Sequence, residues 1–347
     1  MVKATIRQRT ALVMERLLSG LLSIALLVTL GGCAATGSLE GVMPATVDRD
    51  ARLPRTRIRV AGADRWIHWR VVGREGAPVL LVLHGSLGDH RAMLPLAQLA
   101  DRYRVVLWDQ RGNGLSERIP ESEYTEASIV EEIDAVADQV APGAPVTLVG
   151  HSFGAMYTSL YLSVRPERVR QAVFIEPGGL DGDIFTRTFD EVINVRLFDP
   201  ELNAMFWQTE QIGPIDHESS DYRALLILQN GRQTNYHCDS ANPPAWPVWR
   251  PGAAVDVYRG RLLGASANST RFSFDFARGA RAYPRPVLFV AGTCSALGPE
   301  YQRRWHVPLF REASVVAVPN TGHRLVQEDP DALLAALRSY LEAYGAP

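Results

Sequence analysis

The sequence has little excess charge of either sign. Its 347 residues include 36 lysines and arginines against 38 aspartates and glutamates, a formal net charge of -2. A surface that binds nucleic acid normally shows a marked excess of basic residues, so we do not expect nucleic acid as a partner. The charged fraction of 21% and the hydrophobic fraction of 46% argue against a disordered chain. The composition therefore predicts a globular protein with a sizeable core.

Cysteine is also scarce, and no metal-binding spacing is present. The three cysteines, Cys33, Cys238 and Cys294, are far apart in the chain. Neither a Cys-x-x-Cys nor a His-Glu-x-x-His pattern occurs. The sequence shows no internal repeat or low-complexity tract either. We expect neither a metal nor a cofactor.

The first 32 residues resemble the signal peptide of a bacterial lipoprotein. A basic start precedes an apolar stretch at 17–30, which ends in Leu-Gly-Gly-Cys at 30–33. This ending is similar to the lipobox, after which signal peptidase cuts, and the resemblance implies that Cys33 becomes a lipid-bearing N-terminus. The residue after Cys33 is Ala34, and an alanine rather than an aspartate at this position resembles lipoproteins that are sent to the outer membrane. We expect a lipid anchor in the bacterial cell envelope, facing the periplasm; a plain secretory signal or an N-terminal membrane anchor is the alternative.

Strands and helices alternate along the body of the chain. The continuous apolar runs at 79–83 and 105–108 are typical of strands buried on both faces. Helical stretches follow at 92–100 and 128–140. This alternation predicts an α/β fold in which a mostly parallel central sheet has helices on both faces.

The regular alternation stops in the second half, where a mainly helical cap is expected. The inserted stretch is rich in aromatics and prolines and has helical patterns at 190–197 and 222–229. Before the body, a small, polar, proline-containing stretch predicts a tether. The predicted segments are a signal peptide at 1–32, a tether at 33–54, the first part of the core at 55–179, the cap at 180–272 and the second part of the core at 273–347.

A candidate nucleophile lies at residues 150–154, which read Gly-His-Ser-Phe-Gly. An apolar strand pattern precedes this stretch and a helical pattern follows it. In such a context Gly-x-Ser-x-Gly indicates a sharp turn that presents the serine hydroxyl, with glycine on both sides to let the backbone fold tightly. Ser152 is the predicted nucleophile, and an ordinary glycine-rich connector is the alternative.

Two further polar stretches follow apolar strands. Residues 84–90 read His-Gly-Ser-Leu-Gly-Asp-His, and residues 109–116 read Asp-Gln-Arg-Gly-Asn-Gly-Leu-Ser. Ligands of parallel sheets bind beyond the carboxyl ends of the strands, so these stretches should lie near Ser152. Together with the C-terminal part they resemble the α/β-hydrolase superfamily over nearly the whole mature chain. The 109–116 stretch is most similar to the prolyl aminopeptidase and epoxide hydrolase branches.

The sequence departs from both branches. Prolyl aminopeptidases resemble one another in a His-Gly-Gly-Pro-Gly turn, whereas residues 84–88 read His-Gly-Ser-Leu-Gly. Epoxide hydrolases have an aspartate at the position of Ser152. A serine nucleophile implies acyl transfer to water, so the expected substrate is a small carboxylic ester or amide. A prolyl-aminopeptidase-like peptidase, or a non-catalytic envelope lipoprotein that uses the fold for binding, is the alternative.

The resemblance also implies an oxyanion hole made of two backbone N–H groups. One belongs to Ser86 in the His-Gly-x turn, and the other belongs to Phe153 at the start of the helix after the nucleophile. His84 and Arg111 are assigned structural roles. We expect an internal pair between Asp109 and Arg111 to support the glycine-rich turn.

The predicted base is His323, which follows the apolar strand pattern at 313–318 as the family's chain order requires. The acid departs from the usual pattern. The family's late strand is normally followed by Gly-x-x-Asp, but residues 293–297 contain no carboxylate. Glu176, at the end of the strand after the nucleophile helix, occupies the place of the acid in some superfamily members. We predict that Glu176 orients His323, with Glu300 in reserve and an exposed turn glutamate as the alternative.

Two features of the cap stay open at the sequence level. Cys238 and Cys294 either form one disulfide between the cap and the loop after the late strand or remain free thiols. The cap aromatics either line a substrate pocket or form the cap's own core. They are Phe206, Trp207, Tyr236, Trp246 and Trp249.

Overall fold

The computed structural model describes residues 43–188, 217–230, 237–239, 247–264 and 271–344. The predicted signal peptide, Cys33 and the helical pattern at 190–197 lie outside these residues. Within the described ranges, no helix has both the length and the apolar character that a membrane span needs.

The described part of the chain contains an eight-stranded, mostly parallel sheet, which confirms the predicted fold class. The spatial order is β1-β2-β4-β3-β5-β6-β7-β8. β1 pairs antiparallel with β2, and β2 pairs antiparallel with β4, while every other neighbouring pair is parallel. The strands are β1 Arg55–Val60, β2 Ala63–Val72, β3 Val79–Leu83, β4 Arg104–Trp108, β5 Val146–His151, β6 Val169–Ile175, β7 Val287–Gly292 and β8 Ala313–Val318.

Helices of three kinds surround the sheet. The α-helices are α1 Glu126–Val140, α2 Phe153–Val164, α3 Gly182–Thr188, α4 His217–Asn230, α5 Ala253–Leu262, α6 Pro299–Tyr301, α7 Leu325–Glu328 and α8 Pro330–Tyr344. A 12-residue 3-10 segment spans His90–Asp101. Short 3-10 segments are Glu121–Glu123, Pro166–Arg168, Ala280–Ala282 and Val307–Leu309, and one π-helical turn spans Gln302–His306.

The middle strands are mostly apolar because helices cover both faces of the sheet. Leu81 of β3 belongs to the core that α1 and α2 cover, whereas its neighbours Leu80 and Val82 belong to the core that α8 covers. Successive side chains of a strand point to opposite faces, so the two cores lie on opposite sides. β8 at the sheet edge is less covered, and its Val316 is 36% exposed.

The helical pattern predicted at 92–100 is wound as a 3-10 segment, His90–Asp101. Pro95 lies inside it and has no N–H to donate to a helical turn. Asp89 precedes the segment, and its carboxylate accepts from the N–H of Arg91 at 2.9 Å. The segment still packs its apolar side on the sheet, as the pattern predicts.

The segment before β1 is part of the folded body from residue 43 onward. It has neither helix nor strand, but Met43 and Val47 are buried. The N–H of Val47 donates to the carbonyl of Leu115 at 2.8 Å. The prediction of a tether therefore does not hold for residues 43–54, because these apolar side chains pack against the core.

The insertion leaves and re-enters the core at two paired segments. Asp181 forms an antiparallel bridge with Asp275, and the N–H of Phe276 donates to the carbonyl of Leu180 at 2.9 Å. These contacts bring the two ends of the predicted cap together. The described cap elements include α4 and α5, which pack on each other.

Buried charges hold the cap on the core. Asp221 of α4 is fully buried and accepts from Arg118 of the core at 2.7 Å and from Arg250 of the cap at 3.1 Å. Its other oxygen accepts from the N–H of Ala253, the first residue of α5, at 3.0 Å. Removing one partner of such a pair would leave a buried charge uncompensated. Because Asp221 contacts both the core and the first residue of α5, it fixes the position of α5 on the core.

Candidate active site

Ser152 lies at the sharp turn between β5 and α2, as the sequence predicts. Its φ of 54° and ψ of -119° belong to neither helix nor strand. Its N–H donates to the carbonyl of Ile175 on the neighbouring β6 at 2.9 Å. The side chain is half-buried at the carboxyl end of the sheet.

The close packing of this turn requires glycine on both sides. A Cβ on Gly150 would lie 2.3 Å from the carbonyl oxygen of Gly154, and a Cβ on Gly154 would lie 2.2 Å from that of Leu83. Both obstacles are backbone atoms, which cannot rotate away. The Gly-x-Ser-x-Gly pattern is therefore a steric requirement of the turn.

The predicted oxyanion donors belong to two segments that meet at Ser152. A Cβ built on Gly85 would lie 3.0 Å from the Cβ of Ser152, so the loop that carries Ser86 lies against the nucleophile. Phe153 is the first residue of α2. The first N–H groups of a helix have no acceptor within it and favour negative charge, which fits the predicted role.

His323 lies in the loop after β8 and faces the Ser152 turn. Its carbonyl is 2.8 Å from Nε2 of His151, which directly precedes Ser152. The rings of the two histidines have centroids 4.7 Å apart. The loop that carries the predicted base thus packs on the turn that carries the predicted nucleophile.

Glu176 is fully buried at the end of β6 and contacts His323. Its Oε2 is 2.7 Å from Nδ1 of His323 and accepts from the hydroxyl of Ser295 at 2.7 Å. Its Oε1 accepts from the N–H of Gly292 at 2.7 Å. The structure brings Glu176 and His323 together as the sequence predicts. Glu300, the reserve candidate, has a side chain that is 90% exposed and pairs with Arg303.

The electrostatics of this pair keep the imidazole neutral. Burial, with a smaller effect of Arg324, lowers the pKa of His323 to about 3. Burial also raises the pKa of Glu176, and the hydrogen bonds from Ser295 and Gly292 oppose that rise. Because the Ser295 hydroxyl and the Gly292 N–H donate one to each oxygen of Glu176 and so favour its ionised form, we place the shared proton on Nδ1 of His323. In that tautomer Nε2 is the basic nitrogen.

Ser295 is a site residue that sequence reasoning missed. In the family's Gly-x-x-Asp pattern, read from Gly292, Ser295 occupies the position of the aspartate. Its hydroxyl donates to the same oxygen of Glu176 that contacts His323. The signal was present in the sequence as a polar residue at the usual place of the acid.

A disulfide joins Cys238 of the cap to Cys294, with a Cα–Cα distance of 5.0 Å. Cys294 directly precedes Ser295. On the cap side, Nδ1 of His237 is 2.8 Å from Oε1 of Glu328, whose other oxygen accepts from the N–H of Gly322 beside His323. The cap is therefore linked to the residues next to both the acid and the base.

We expect the variant with Cys238→Ser and Cys294→Ser to unfold at a lower temperature than the wild type. The bond spans 56 positions, and the loss of such a cross-link typically costs about 2–4 kcal/mol of unfolding free energy. Thermal melts with and without a reductant measure the effect. The reductant should lower the melting temperature of the wild type and leave that of the double variant unchanged; equal melting temperatures of the oxidised proteins would contradict the expectation.

The loop at 109–116 is supported differently from the prediction. Oδ1 of Asp109 accepts from the backbone N–H of His90 at 2.7 Å and is 2.8 Å from its Nδ1. Arg111 instead donates to Glu132 of α1 at 2.9 Å. The predicted pair between Asp109 and Arg111 is wrong, because each buried charge finds its partner in the helical segment packed over it.

The ring of His84 is held by the backbone, which fits a structural role. Its Nδ1 is 2.9 Å from the carbonyl of Gly85, and its Nε2 accepts from the N–H of Gln110 at 3.1 Å. Burial lowers the pKa of His84 to about 4. The ring thus ties the oxyanion loop to the 109–116 loop in its neutral form.

One cluster in the described part has metal-ligand chemistry. The ligand atoms of His68, His90 and Asp109 lie within 4.8 Å of one another, and all three residues are buried. However, Oδ1 of Asp109 already accepts from His90, and its Oδ2 accepts from the N–H of Leu115 at 2.8 Å. These donors account for both oxygens of the carboxylate, so we assign the cluster to support of the loop.

Of the five aromatics proposed for the cap pocket or core, Trp249 is the one within the described residues, whereas Phe206, Trp207, Tyr236 and Trp246 lie outside them. Its ring meets His90 edge-on with centroids 5.8 Å apart, and the guanidinium of Arg91 lies 4.4 Å from its centroid. It is 38% exposed. Trp249 therefore packs on the core segment at 90–91 and forms part of the junction between cap and core.

Left-handed backbone is concentrated at this end of the sheet. Five non-glycine residues in the described ranges have positive φ, and four of them lie in loops after parallel strands. Those four are Leu87 with φ 49°, Ser152 with φ 54°, Glu176 with φ 43° and Asn320 with φ 55°. Strained residues of this kind cluster at functional sites.

A sequence profile described as the alpha/beta hydrolase family matches residues 79–336, well over half of the chain. The chain belongs to the alpha/beta hydrolase family. The match spans the Ser152 turn, Glu176, the cap and His323, so family membership covers the whole candidate site.

A hydrolase, a peptidase and an esterase resemble this chain at low identity over most of its length. It is 26% identical over 269 residues to 2-(acetamidomethylene)succinate hydrolase of Mesorhizobium japonicum, covering 77% of this chain and 88% of the relative. It is 22% identical over 296 residues to a proline iminopeptidase of Pestalotiopsis fici, covering 82% and 98%. A thermophilic esterase from Thermogutta terrifontis superposes with a TM-score of 0.59 at 17% identity, covering 84% and 99%. The protein is an enzyme of the hydrolase class.

Proposed function

We propose that the protein is a serine hydrolase that cleaves a small carboxylic ester or amide through an acyl-enzyme intermediate. The observation that carries this proposal is the 2.7 Å contact between Nδ1 of His323 and the buried carboxylate of Glu176, in a loop packed on the Ser152 turn. A buried acid joined to a neutral imidazole beside a presented serine is the arrangement that activates a hydroxyl nucleophile.

Each residue has one role in the proposed reaction. Ser152 attacks the carbonyl carbon while His323 takes its proton, and the N–H groups of Ser86 and Phe153 stabilise the oxyanion. His323 then protonates the leaving group, which departs and leaves the acyl-enzyme. A water molecule, deprotonated by His323, attacks the carbonyl carbon of the acyl-enzyme ester; the bond to Ser152 then breaks, His323 returns the proton to the serine oxygen, and the acid is released. Glu176 stays ionised and holds the imidazole in the required tautomer.

A fluorophosphonate probe tests the proposal, because it labels only an activated serine. The wild-type protein should take up one probe and should hydrolyse p-nitrophenyl esters of short acids. If neither reaction occurs with folded protein, the proposal fails and a non-catalytic binding role is favoured.

Peptidase action is the second candidate, because one relative over 82% of the chain is named a proline iminopeptidase. A panel of acyl esters and amino-acid arylamides separates the two. Preferential cleavage of prolyl arylamide would favour the peptidase, whereas a preference for acyl esters would favour the esterase. The His-Gly-Ser-Leu-Gly turn at 84–88 leads us to expect the esterase result.

We also propose that Cys33 bears a lipid that anchors the enzyme in the bacterial envelope. The proposal rests on the Leu-Gly-Gly-Cys ending of the basic and apolar N-terminal stretch. We expect Cys33→Ser to abolish the incorporation of labelled palmitate and to release the protein from the membrane fraction of a Gram-negative host. Unchanged palmitate incorporation in the variant would contradict the anchor, whereas fluorophosphonate labelling should be the same for anchored and released protein.

A further inference from the structure

Asp256 of the cap contacts the loop that carries the oxyanion donor. It lies in the first turn of α5. Its Oδ1 accepts from the hydroxyl of Ser86, and its Oδ2 accepts from the N–H of Leu87 at 3.2 Å. Both oxygens of one cap carboxylate are therefore engaged by two successive residues of a core loop. The donor in this stretch that Asp256 does not engage is the N–H of Ser86, which is the group proposed to bind the oxyanion.

Arg259 joins Asp256 to the helix of the nucleophile. Its guanidinium is buried and forms an ion pair with Asp256. Its Nε donates to the hydroxyl of Tyr157 on α2 at 2.8 Å, and its Cζ lies 5.4 Å from the ring centroid of Phe153. The cap pair thus contacts the two segments that supply the proposed oxyanion donors, one through Ser86 and the other through α2.

The loop needs an external constraint of this kind. Leu87 has a φ of 49°, a left-handed conformation that costs a non-glycine residue free energy and persists only when its surroundings impose it. The carboxylate of Asp256 holds the hydroxyl of Ser86 and the N–H of the Ser86–Leu87 peptide itself. A charged acceptor makes such hydrogen bonds stronger than a neutral one would.

We propose that Asp256 and Arg259 are positioning residues through which the cap sets the geometry of the oxyanion hole. The inference rests on the proposed serine hydrolase function. It assigns to the cap a direct part in transition-state stabilisation, in addition to enclosing the substrate. If the contacts of Asp256 and Arg259 are weakened, the Ser86 N–H no longer points at the oxyanion, while Ser152 and His323 keep their positions.

The test is the Asp256→Asn variant, assayed on the best p-nitrophenyl ester. The amide has nearly the same shape, but its NH₂ cannot accept from Ser86 or Leu87, and it leaves the charge of Arg259 unbalanced. We expect kcat to fall by about tenfold or more, since loss of a full oxyanion donor typically costs about 10²–10³-fold, whereas KM should change little. A boronic acid inhibitor, which forms a tetrahedral anion on a serine, should bind the variant more weakly by a factor similar to the loss in kcat/KM.

A second variant tests the same contact without touching the cap. Ser86→Ala removes the hydroxyl that donates a hydrogen bond to Asp256 and keeps the backbone N–H of residue 86. We expect a smaller loss of kcat, and the double variant should lose less than the product of the two single effects because both changes break one contact. Multiplicative effects would overturn the inference, and so would a kcat of Asp256→Asn within twofold of the wild type.

The control is Arg261→Gln on the same helix. Arg261 pairs with Glu121 of the core at the surface, where its side chain is 60% exposed, and exposed ion pairs contribute little. Its kcat and boronate affinity should equal those of the wild type. Should the wild type itself fail to react with a fluorophosphonate, the proposed function fails; should it react normally while Asp256→Asn is unaffected, only the role of the cap pair fails.

Discussion

Replacement of Ser152 by alanine is expected to reduce kcat by about 10⁶-fold, as removal of a serine nucleophile does in a hydrolase of this mechanism. The reason is that no other hydroxyl takes part in the proposed acyl transfer. The measurement is p-nitrophenyl ester hydrolysis at saturating substrate, together with fluorophosphonate labelling followed by mass spectrometry. The variant should take up no probe and should keep its melting temperature to within a few degrees.

Ser163→Ala is the matched control for this change. Ser163 lies on the same helix, and its hydroxyl donates to the carbonyl of Phe276 at 2.9 Å, away from the proposed reaction. This variant should label and hydrolyse as the wild type does. A Ser152→Ala protein that still incorporates one probe would show that the nucleophile is elsewhere.

The second large effect is expected for Glu176→Gln, which should lower kcat by about 10⁴-fold. The amide keeps the size of the side chain, but its nitrogen cannot accept a hydrogen bond from Nδ1 of His323. The imidazole therefore no longer has a fixed tautomer. Glu176 is fully buried, and solvent cannot replace the lost acceptor at this position. Initial rates and active-site titration would give kcat for the folded fraction alone.

Glu300→Gln is the control that also tests the reserve candidate. The side chain of Glu300 is 90% exposed and pairs only with Arg303 among the ion pairs of the described residues. Its activity should be unchanged. Near-normal activity of Glu176→Gln together with a large loss in Glu300→Gln would transfer the role of the acid to Glu300.

The position of Ser295 allows a stricter form of this test. Its hydroxyl is 2.7 Å from the oxygen of Glu176 that contacts His323, so an aspartate there would bring a carboxylate toward the same nitrogen. We expect the double variant with Glu176→Gln and Ser295→Asp to have a kcat at least about tenfold higher than that of Glu176→Gln alone. A folded double variant no faster than Glu176→Gln would show that the acid cannot be moved to this loop.

Much of this site could be predicted because its parts follow local rules. The apolar runs predict buried parallel strands, and polar residues at their ends predict one active edge. The assignment of Glu176 used the same rule: a carboxylate directly after a buried apolar strand needs a buried partner. The structure places Glu176, which directly follows β6, against His323, which lies in the loop after β8.

Other features could not be predicted, because they depend on contacts between distant parts of the chain. Ser295 and Glu176 are 119 positions apart, and Asp256 and Ser86 are 170 positions apart. The Gly-x-x-Asp pattern marks the position of Ser295 alone, and no local pattern indicates which distant residue either side chain contacts. The predicted pair between Asp109 and Arg111 failed for the same reason, since proximity in sequence suggested a partner where helices from elsewhere supplied better ones.

The left-handed backbone at Ser152 and Glu176 bears on how this enzyme can evolve. Each residue holds a conformation that glycine adopts without penalty and that costs other residues roughly 1–3 kcal/mol. A collection of random variants screened for heat tolerance alone should therefore accumulate glycine at Ser152. At Glu176 the same change would leave the buried donors Ser295 and Gly292 without their acceptor, which offsets the gain. Activity and thermal stability therefore oppose each other at Ser152, so selection for catalysis must be maintained to keep the nucleophile from being lost.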